Sequence, residues 1–280
     1  MSKIGAHVSI AGGIINAPLN AAERQCESFQ MFTRSPRGGK AQLLTKNIIK
    51  DFLDNCDKNE ISNYYIHTPY YINYASAKQR IYKGSIEVVR QELERGTKIK
   101  AKALMTHLGS SKDFGKSKGL KKVIQGIRET MKGYTGTTQF LLENSAGAGG
   151  TIIGSTFEEL GKIIKALPKY NLGVCLDTCH AFSSGYDIRD KVSVNKTLKE
   201  FNKHIGLSKL VLIHANDSKT EFGSNKDRHE HIGKGKIGIK GFTALMSHPA
   251  LKKVDFILET PDDNLGKIDL NKLKKIRNNR

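Results

Sequence analysis

Six short apolar runs in this chain each end in a side chain that can bind a metal ion. The run at 172–176 is followed by Asp177, and His180 comes three residues later. The same juxtaposition recurs at five further runs, which are followed by His67, His107, Glu143, His214 and Glu259. Near-continuous apolar runs are typical of parallel strands buried on both faces, and the carboxyl ends of such strands lie at one edge. The pattern therefore predicts a parallel sheet whose carboxyl edge carries a cluster of metal-binding side chains.

The six runs belong to a longer alternation of predicted strands and helices. Predicted strands lie at 4–8, 28–32, 64–66, 103–106, 139–142, 172–176, 210–213 and 254–258. Predicted helices lie between them, at 14–24, 47–56, 77–98, 118–132, 155–166, 194–204 and 240–246. Eight such units favour one closed α/β barrel, a (β/α)8 TIM barrel, with its site at the C-terminal face of the strands. No shift in composition divides the chain, so residues 1–280 are predicted to be a single domain in which 267–280 is a basic C-terminal helix or tail.

Composition excludes some classes of protein and favours one class of partner. No apolar stretch is long enough to span a bilayer, and the amino terminus lacks the order of a secretion signal, which predicts a cytoplasmic protein without a membrane partner. A formal charge of +19 favours a polyanionic partner, although a Lys- and Asn-rich composition also follows from genome base bias. The cysteines form no Cys-x-x-Cys pair and are expected to be reduced core residues: Cys26, Cys56, Cys175 and Cys179.

Nine side chains make up the predicted metal centre, five imidazoles and four carboxylates: His67, His107, Glu143, Asp177, His180, His214, Asp227, His229 and Glu259. Burying so many charged groups without counter-ions would be costly, and bound divalent cations remove that cost. Imidazole with carboxylate suits zinc, and also manganese or iron. Nine ligands exceed the needs of one ion, so two or three ions are predicted, with Glu143 bridging two of them. His180 is expected in a loop and His7 beside the site without binding metal, whereas the pattern gives no role to His231.

Six segments carry a family resemblance: Gly5-Ala-His-Val-Ser9, Leu142-Glu-Asn144, Cys175-Leu-Asp-Thr-Cys-His-Ala-Phe182, His214-Ala-Asn-Asp-Ser-Lys219, Asp227-Arg-His229 and Leu258-Glu-Thr-Pro261. They span nearly the whole chain in order, and together they resemble the endonuclease IV family of zinc-dependent apurinic/apyrimidinic (AP) endonucleases. The resemblance implies a monomeric base-excision repair enzyme that acts on damaged double-stranded DNA. It would hydrolyse the phosphodiester bond 5′ to an abasic site, leaving a 3′-hydroxyl and a 5′-deoxyribose phosphate.

The resemblance also implies how three zinc ions would be held. The first would be bound by His67, His107 and Glu143, and the second by Glu143, Asp177, His214 and Glu259. The third would be bound by His180, Asp227 and His229. Glu143 would thus be the bridging carboxylate of the catalytic centre, and the sequence leaves manganese or iron open at some of the sites.

Three residues are expected to contact DNA by the same resemblance: Arg37, in the loop after the second strand, and Tyr70 and Tyr71, after the third. Insertion of such side chains at a lesion requires unstacking, which costs least where a base is already missing. Ordinary packing within the loop is the alternative for the two tyrosines. The chain departs from the family pattern at Ala148 and Gly150, where a polar contact is expected to be missing, and at His231.

Two other functions account for part of the pattern. A metal-dependent sugar isomerase or epimerase would use Glu143, Asp177, His214 and Glu259 on the same kind of barrel. It would not need the additional set of His67, His107, His180, Asp227 and His229. A non-catalytic nucleic-acid-binding protein would have no use for nine metal-binding groups at one face.

Overall fold

Eight parallel strands close into a barrel in the computed structural model, which describes residues 1–261 and 266–279. The strands are, in chain order, β1 (Ile4–His7), β2 (Ser28–Met31), β3 (Asn63–His67), β4 (Ala103–Thr106), β5 (Gln139–Glu143), β6 (Leu172–Asp177), β7 (Leu210–His214), β8 (Asp217–Ser218), β9 (His229–Glu230) and β10 (Asp255–Leu258). All of them except β8 and β9 belong to the barrel, in the order β1-β10-β7-β6-β5-β4-β3-β2. The predicted (β/α)8 barrel is confirmed.

Helices cover the outside of the barrel and connect successive strands. They are α1 (Asn16–Glu23), α2 (Lys46–Lys58), α3 (Gln79–Lys98), α4 (Lys116–Met131), α5 (Phe157–Ala166), α6 (Thr178–Ser183), α7 (Lys191–His204), α8 (Gly238–Ser247) and α9 (Gly266–Asn278). Side-chain oxygens begin several of them by accepting a backbone N–H, as Thr45 does from Ile48 at 3.3 Å and Thr156 from Glu159 at 3.1 Å. Across the two described ranges, no helix combines the length and the apolar character that crossing a membrane requires.

Two apolar layers stabilise the barrel. The larger one lies between the strands and the surrounding helices, and the smaller one fills the interior with Tyr65, Ala103, Met105, Leu141, Cys175, Leu212 and Ile257. This arrangement follows from the strand repeat, since neighbouring residues of a strand point to opposite faces. All four cysteines are buried and unpaired. The filled interior supports the carboxyl ends of the strands from below.

A buried polar cluster lies below the interior layer, near the amino ends of the strands. The Asp255 carboxylate, 2% exposed, accepts hydrogen bonds from Tyr65 Oη at 2.6 Å, Asn63 Nδ2 at 2.6 Å and the Lys3 backbone N–H at 2.8 Å. Buried carboxylates are tolerated where several donors satisfy them. This end of the barrel is therefore tied together far from the predicted metal centre.

The structure corrects two local predictions and resolves a third. His180 does not lie in a loop but in the short helix α6, because the Asp177 carboxylate accepts the His180 N–H at 2.7 Å and caps the helix. The sequence predicts a long loop at 216–236, between the seventh strand and the helix at 240–246, but this stretch contains the antiparallel ribbon of β8 and β9. The basic segment at 267–280 is helical through α9, where Arg277 pairs with Glu27, and its last residue lies outside the described part of the chain.

We expect Gly5→Ala to destabilise the barrel. A β-carbon at Gly5 would lie 1.7 Å from the backbone oxygen of Ser28, its neighbour across the β1–β2 pairing. Because backbone must move to make room, the free energy of unfolding should fall by about 2 kcal/mol or more. Gly84→Ala in α3 is the control: nothing lies within 4 Å of the added carbon, and alanine is favoured in helices by about 1 kcal/mol. Equal urea midpoints for Gly5→Ala and the native protein would contradict this account.

Candidate metal centre

The nine predicted ligands all lie at the carboxyl-end face of the barrel or on the segments directly above it. His67, Glu143, Asp177 and His214 are the last residues of β3, β5, β6 and β7. His107 and Glu259 come one residue after β4 and β10, whereas His180 lies in α6, and Asp227 and His229 belong to the β8–β9 hairpin. The structure brings them into three groups whose nitrogen and oxygen atoms lie within 4.8 Å of one another.

The first group consists of His67, His107 and Glu143. One Glu143 oxygen, Oε2, lies 3.1 Å from His67 Nε2 and 3.4 Å from His107 Nε2. The carboxylate of Glu143 and the ring of His67 are almost completely buried, whereas the side chain of His107 is 32% exposed. The group is therefore open to solvent on the side of His107.

The second group consists of Glu143, Asp177, His214 and Glu259. His214 Nδ1 lies 2.9 Å from Glu143 Oε1, 3.2 Å from Glu259 Oε2 and 4.0 Å from Asp177 Oδ2. Glu143 thus directs Oε2 to the first group and Oε1 to the second. A carboxylate placed in this way can bind two metal ions at once.

The third group consists of His180, Asp227 and His229. His180 Nε2 and His229 Nε2 lie 3.1 and 3.2 Å from the two oxygens of Asp227. Both nitrogens are buried, and within the described ranges neither has a hydrogen-bond partner. Buried polar atoms are seldom left in this state, and two nitrogens that converge with a carboxylate fit a cation.

A fourth grouping joins Cys179 to Asp177 and His229, which the sequence did not suggest. The Cys179 thiol lies 3.6 Å from the carbonyl oxygen of Arg228, and burial raises the pKa of that thiol to about 12. Since the thiolate is the form that binds metals, Cys179 is a neutral neighbour of the centre at physiological pH.

Fixed carbonyl oxygens orient four of the five imidazoles. His67 Nδ1, His180 Nδ1 and His229 Nδ1 face the backbone oxygens of Thr68, Asn144 and Glu259, at 2.6, 3.0 and 3.0 Å. His214 Nε2 faces Gln30 Oε1 at 2.7 Å. A carbonyl oxygen only accepts, so these nitrogens carry the ring protons and the opposite nitrogens point at the carboxylates. This is how metal-binding imidazoles are normally oriented.

Three amide side chains that the sequence analysis missed hold the carboxylates. Gln30 Nε2 donates to Glu259 Oε1 at 2.6 Å, which leaves its oxygen for His214. Asn144 binds both the backbone N–H and the backbone oxygen of Asp177, at 2.7 and 3.0 Å. Asn216 Nδ2 donates to Asp177 Oδ2 at 2.6 Å, and Asn216 Oδ1 accepts the Glu259 N–H at 2.8 Å. Asn144 directly follows Glu143 and Asn216 follows His214 by two residues, both within segments that carry the family resemblance, whereas Gln30 lies in none of those segments.

The imidazoles and carboxylates of the centre stabilise each other's charged forms and so oppose the effect of burial on their pKa values. Burial alone would raise the pKa of Glu143, but His107, His214 and His67 outweigh it and hold that pKa well below its usual value. Burial lowers the pKa of His180 less than Asp177 and Asp227 raise it, to about 10, and the same carboxylates raise the pKa of His229 to about 9. A positive charge is therefore strongly favoured between each ring and its carboxylate, in the place that a bound cation would take.

Two of the histidines outside the nine predicted ligands, His7 and His231, have different surroundings. His7 Nδ1 lies 3.0 Å from Gln30 Nε2 and 3.7 Å from Glu259 Oε1, so it lies beside the second group. His231 lies two residues after His229 in sequence, but its Nδ1 lies 2.6 Å from Asp269 Oδ2 in α9. That nitrogen is therefore directed to α9 and not to the third group.

A cavity of about 990 Å³ opens above the centre. Tyr70 and Tyr71 line it and are 69% and 41% exposed; Tyr70 also packs edge-on against Phe32 at 5.2 Å. Arg37 is exposed on the loop after β2 and is not among the described residues that line the cavity. At the departures from the family pattern, Ala148 and Gly150, the chain is exposed and offers no polar side chain.

The base of the loop that carries Arg37 is fixed to α3. Arg34 Nε pairs with the fully buried Glu92 at 2.6 Å, and Arg95 Nη2 donates to the Thr33 carbonyl oxygen at 2.8 Å. Further along, Gly38 and Gly39 adopt positive φ angles, where side chains are disfavoured. The loop therefore has an anchored base and an exposed tip.

Comparison with known proteins assigns this arrangement to a family. Residues 19–278 match the family model described as xylose isomerase-like TIM barrel. A probable endonuclease 4 from Nitrosopumilus maritimus is 42% identical over 265 residues, which cover 94% of each chain. The crystal structure of endonuclease IV from Thermus thermophilus is 29% identical, with a TM-score of 0.89 over 99% of this chain and 100% of that one. A D-tagatose 3-epimerase-like protein, 20% identical with a TM-score of 0.74 over 99% and 98%, shares the fold.

We expect removal of divalent metal to destabilise the protein. An ion that binds only the folded chain at a thousandfold excess over its Kd contributes about 4 kcal/mol. For a chain of this size the loss should lower Tm by roughly 10 °C. Calorimetry before and after chelation measures the change. Zinc should restore Tm, whereas calcium, which prefers oxygen ligands, should not. Identical melting curves for zinc-loaded and stripped protein would contradict a centre built from these nine groups.

Proposed function

The chain belongs to the endonuclease IV family, on the fold of the xylose isomerase-like TIM barrels, and we propose that it is a DNA repair endonuclease specific for abasic sites. The reaction would be hydrolysis of the phosphodiester bond 5′ to the lesion, giving a 3′-hydroxyl and a 5′-deoxyribose phosphate. The observation that carries the proposal is the position of Glu143, whose two oxygens face two separate groups of nitrogen and oxygen ligands. A phosphodiester hydrolase uses such paired ions on one phosphate.

The three groups would hold three zinc ions. Glu143 would be shared between the first, with His67 and His107, and the second, with Asp177, His214 and Glu259. His180, Asp227 and His229 would hold the third. Zinc fits best because imidazole nitrogens and carboxylate oxygens are mixed in every group, and manganese or iron would also be accepted. When bound, such ions supply Lewis-acid activation of water and neutralise the charge of the phosphate.

The residues around the centre would keep this ligand set rigid. Gln30 holds Glu259 and His214 together, and Asn216 holds Asp177 and Glu259. The carbonyl oxygens behind the imidazoles fix the orientation of the rings, so the opposite nitrogens stay directed at the carboxylates. Such preorganisation favours the transition state, because no reorientation is needed during the reaction.

DNA would be bound by the loops that surround the cavity. The formal charge of +19 favours a polyanion through release of counter-ions. Tyr70 and Tyr71 present exposed rings at the cavity, where one could stack against a base or fill the gap left by a missing one. Arg37 at the exposed tip of its loop would contact the duplex beside the lesion.

A sugar isomerase or epimerase is the alternative, and one observation favours it: the second group by itself, Glu143, Asp177, His214 and Glu259, would suffice to bind one ion at a small polyol. The first and third groups would then have no use, although their burial without a cation is unfavourable. The high positive charge would also be without purpose for a neutral sugar.

One experiment separates the two functions. A labelled duplex with a single abasic analogue is incubated with the protein, without added magnesium, before and after prolonged chelation. We expect one cut directly 5′ to the analogue, lost only when tightly held metal is removed. No cut by a protein of measured metal content would contradict the nuclease, and conversion of a ketose by that sample would favour the alternative.

We expect Glu143→Gln to lower kcat for incision roughly a thousandfold or more, while DNA binding changes little, because the variant cannot bridge two ions. Glu200→Gln on the outer helix α7 is the matched control. Incision rates under single-turnover conditions and gel-shift affinities measure the two properties separately. Near-normal turnover by Glu143→Gln would rule out the shared carboxylate.

We expect Arg37→Ala and Tyr70→Ala to reduce the preference for abasic over intact duplex by about tenfold or more each, the scale of one lost stacking or cationic contact. Metal content should not change. Arg128→Ala removes a positive charge near the end of α4, at the opposite end of the barrel, and serves as control. If both variants discriminate as the native protein does, the loops do not probe the lesion.

A further inference from the structure

Asp217 is a fully buried carboxylate that takes no part in the proposed reaction. It accepts hydrogen bonds from five backbone N–H groups. Oδ1 binds those of Ser218 at 2.8 Å and Ile237 at 2.9 Å, and Oδ2 binds those of Gly233 at 2.9 Å, Gly235 at 3.1 Å and Gly238 at 3.2 Å. Four of the five donors belong to one stretch of chain, 233–238. This carboxylate therefore holds a whole loop segment in place.

The segment 233–238 fits closely around the carboxylate. A β-carbon at Gly235 would lie 2.5 Å from Asp217 Oδ1 and 2.5 Å from the Ser218 carbonyl oxygen. Gly233 and Gly238 have φ angles of 79° and 72°, which side chains disfavour. The three glycines thus allow successive N–H groups to converge on one acceptor.

The stretch of chain between Asp217 and the segment 233–238 carries two members of the third group, Asp227 and His229. Asp217 pairs with Glu230, and Ser218 with His229, in the β8–β9 ribbon. Beyond the ribbon, the Lys236 N–H donates to the Ser218 carbonyl oxygen at 2.8 Å. The segment that carries Asp227 and His229 therefore begins at β8 and ends beside it. The Asp217 side chain holds the end of this segment, residues 233–238, in place.

The third group depends on a contact that holds its loop in place, whereas the other two groups do not. Every ligand of the first and second groups lies on a barrel strand or one residue after it. Asp227 and His229 lie on the hairpin outside the barrel, and the side chain of Asp227 is 50% exposed. The ribbon has only two residue pairs, and Asp269 holds the two residues after it, His231 and Ile232, at 2.6 and 3.1 Å, so the next stretch, 233–238, needs a further anchor.

We infer that Asp217 is a positioning residue for the third metal site: by gathering the N–H groups of 233–238 it holds Asp227 and His229 in reach of His180. The inference rests on the proposed function in so far as the third group holds an ion. Loss of the Asp217 carboxylate should release the third ion and leave the first two in place, because the ligands of the first two groups lie on barrel strands or one residue after them and not on the hairpin.

Asp217→Asn is the direct test. It keeps the shape of the side chain but replaces one accepting oxygen by a donating amide, which must then face backbone N–H groups. Gly235→Ala tests the same arrangement by placing a β-carbon against the Asp217 carboxylate, and it does not alter the charge. Asp190→Asn is the matched control, because Asp190 caps α7 through the Ser193 N–H at 2.9 Å, a role that asparagine also fills.

Two measurements are made on each full-length protein. Zinc per chain is determined after gel filtration and by titration with a competing chelator, and hydrogen exchange is measured on the stripped protein. We expect three equivalents for the native chain and Asp190→Asn, and two for Asp217→Asn and Gly235→Ala. Affinity for the third ion should fall about 10- to 100-fold, the usual effect of removing a partner that orients metal ligands. Exchange should accelerate in 227–238 and not in the barrel strands.

Other outcomes distinguish the inference from the proposed function. Three equivalents of unchanged affinity in both variants, with unchanged exchange in 227–238, would overturn the positioning role alone. Simultaneous loss of all ions and a collapse of Tm would also overturn it, since Asp217 would then serve the whole barrel. Fewer than three equivalents in the native protein would contradict the three-ion centre, and the exchange data would still decide whether Asp217 orders the hairpin.

Discussion

The arrangement of the whole site depends on the buried Glu143 carboxylate, whose oxygens face two groups of ligands at once. A buried carboxylate needs hydrogen-bond donors or positive charge around it, and the imidazoles of His67, His107 and His214 lie within 3.4 Å of the oxygens of Glu143. The barrel makes this possible because parallel strands end at one face. Glu143 at the end of β5 therefore meets residues from β3, β4, β6, β7 and β10 without any long excursion of the chain.

The layer behind the ligands consists of uncharged amides and backbone carbonyl oxygens. Gln30 binds Glu259 and His214, Asn216 binds Asp177 and Glu259, and Asn144 holds the backbone of Asp177, so these contacts fix how the groups face inward. A charged group in the same positions would compete for the cation or repel it. Amides orient the ligands without changing the charge of the centre. The net charge of the centre is therefore set by its imidazoles and carboxylates alone.

The parts of the site lie on segments of different rigidity. The first two groups rest on strands above a filled interior, whereas the third depends on the β8–β9 hairpin, and Arg37 lies on the exposed tip of a loop. Both excursions are held at their base by a buried carboxylate, Asp217 for the hairpin and Glu92 for the loop. Each excursion therefore has a fixed base, and the tip of the loop that carries Arg37 is exposed.

The sequence by itself determined the barrel and the face on which the chemistry-bearing groups lie. Apolar runs and the residue that follows each of them are local features, so His67, Glu143 and Asp177 could be placed at strand ends without knowing the fold. The sequence could not reveal Gln30, since a single amide in an apolar strand gives no sign of a partner 229 residues away. Nor could it place His180 in a helix, because Asp177 is both a candidate ligand and the cap of α6. His231 follows His229 by two residues, but only the position of α9 directs it to Asp269. Such pairings depend on where distant segments meet, and tertiary packing alone decides that.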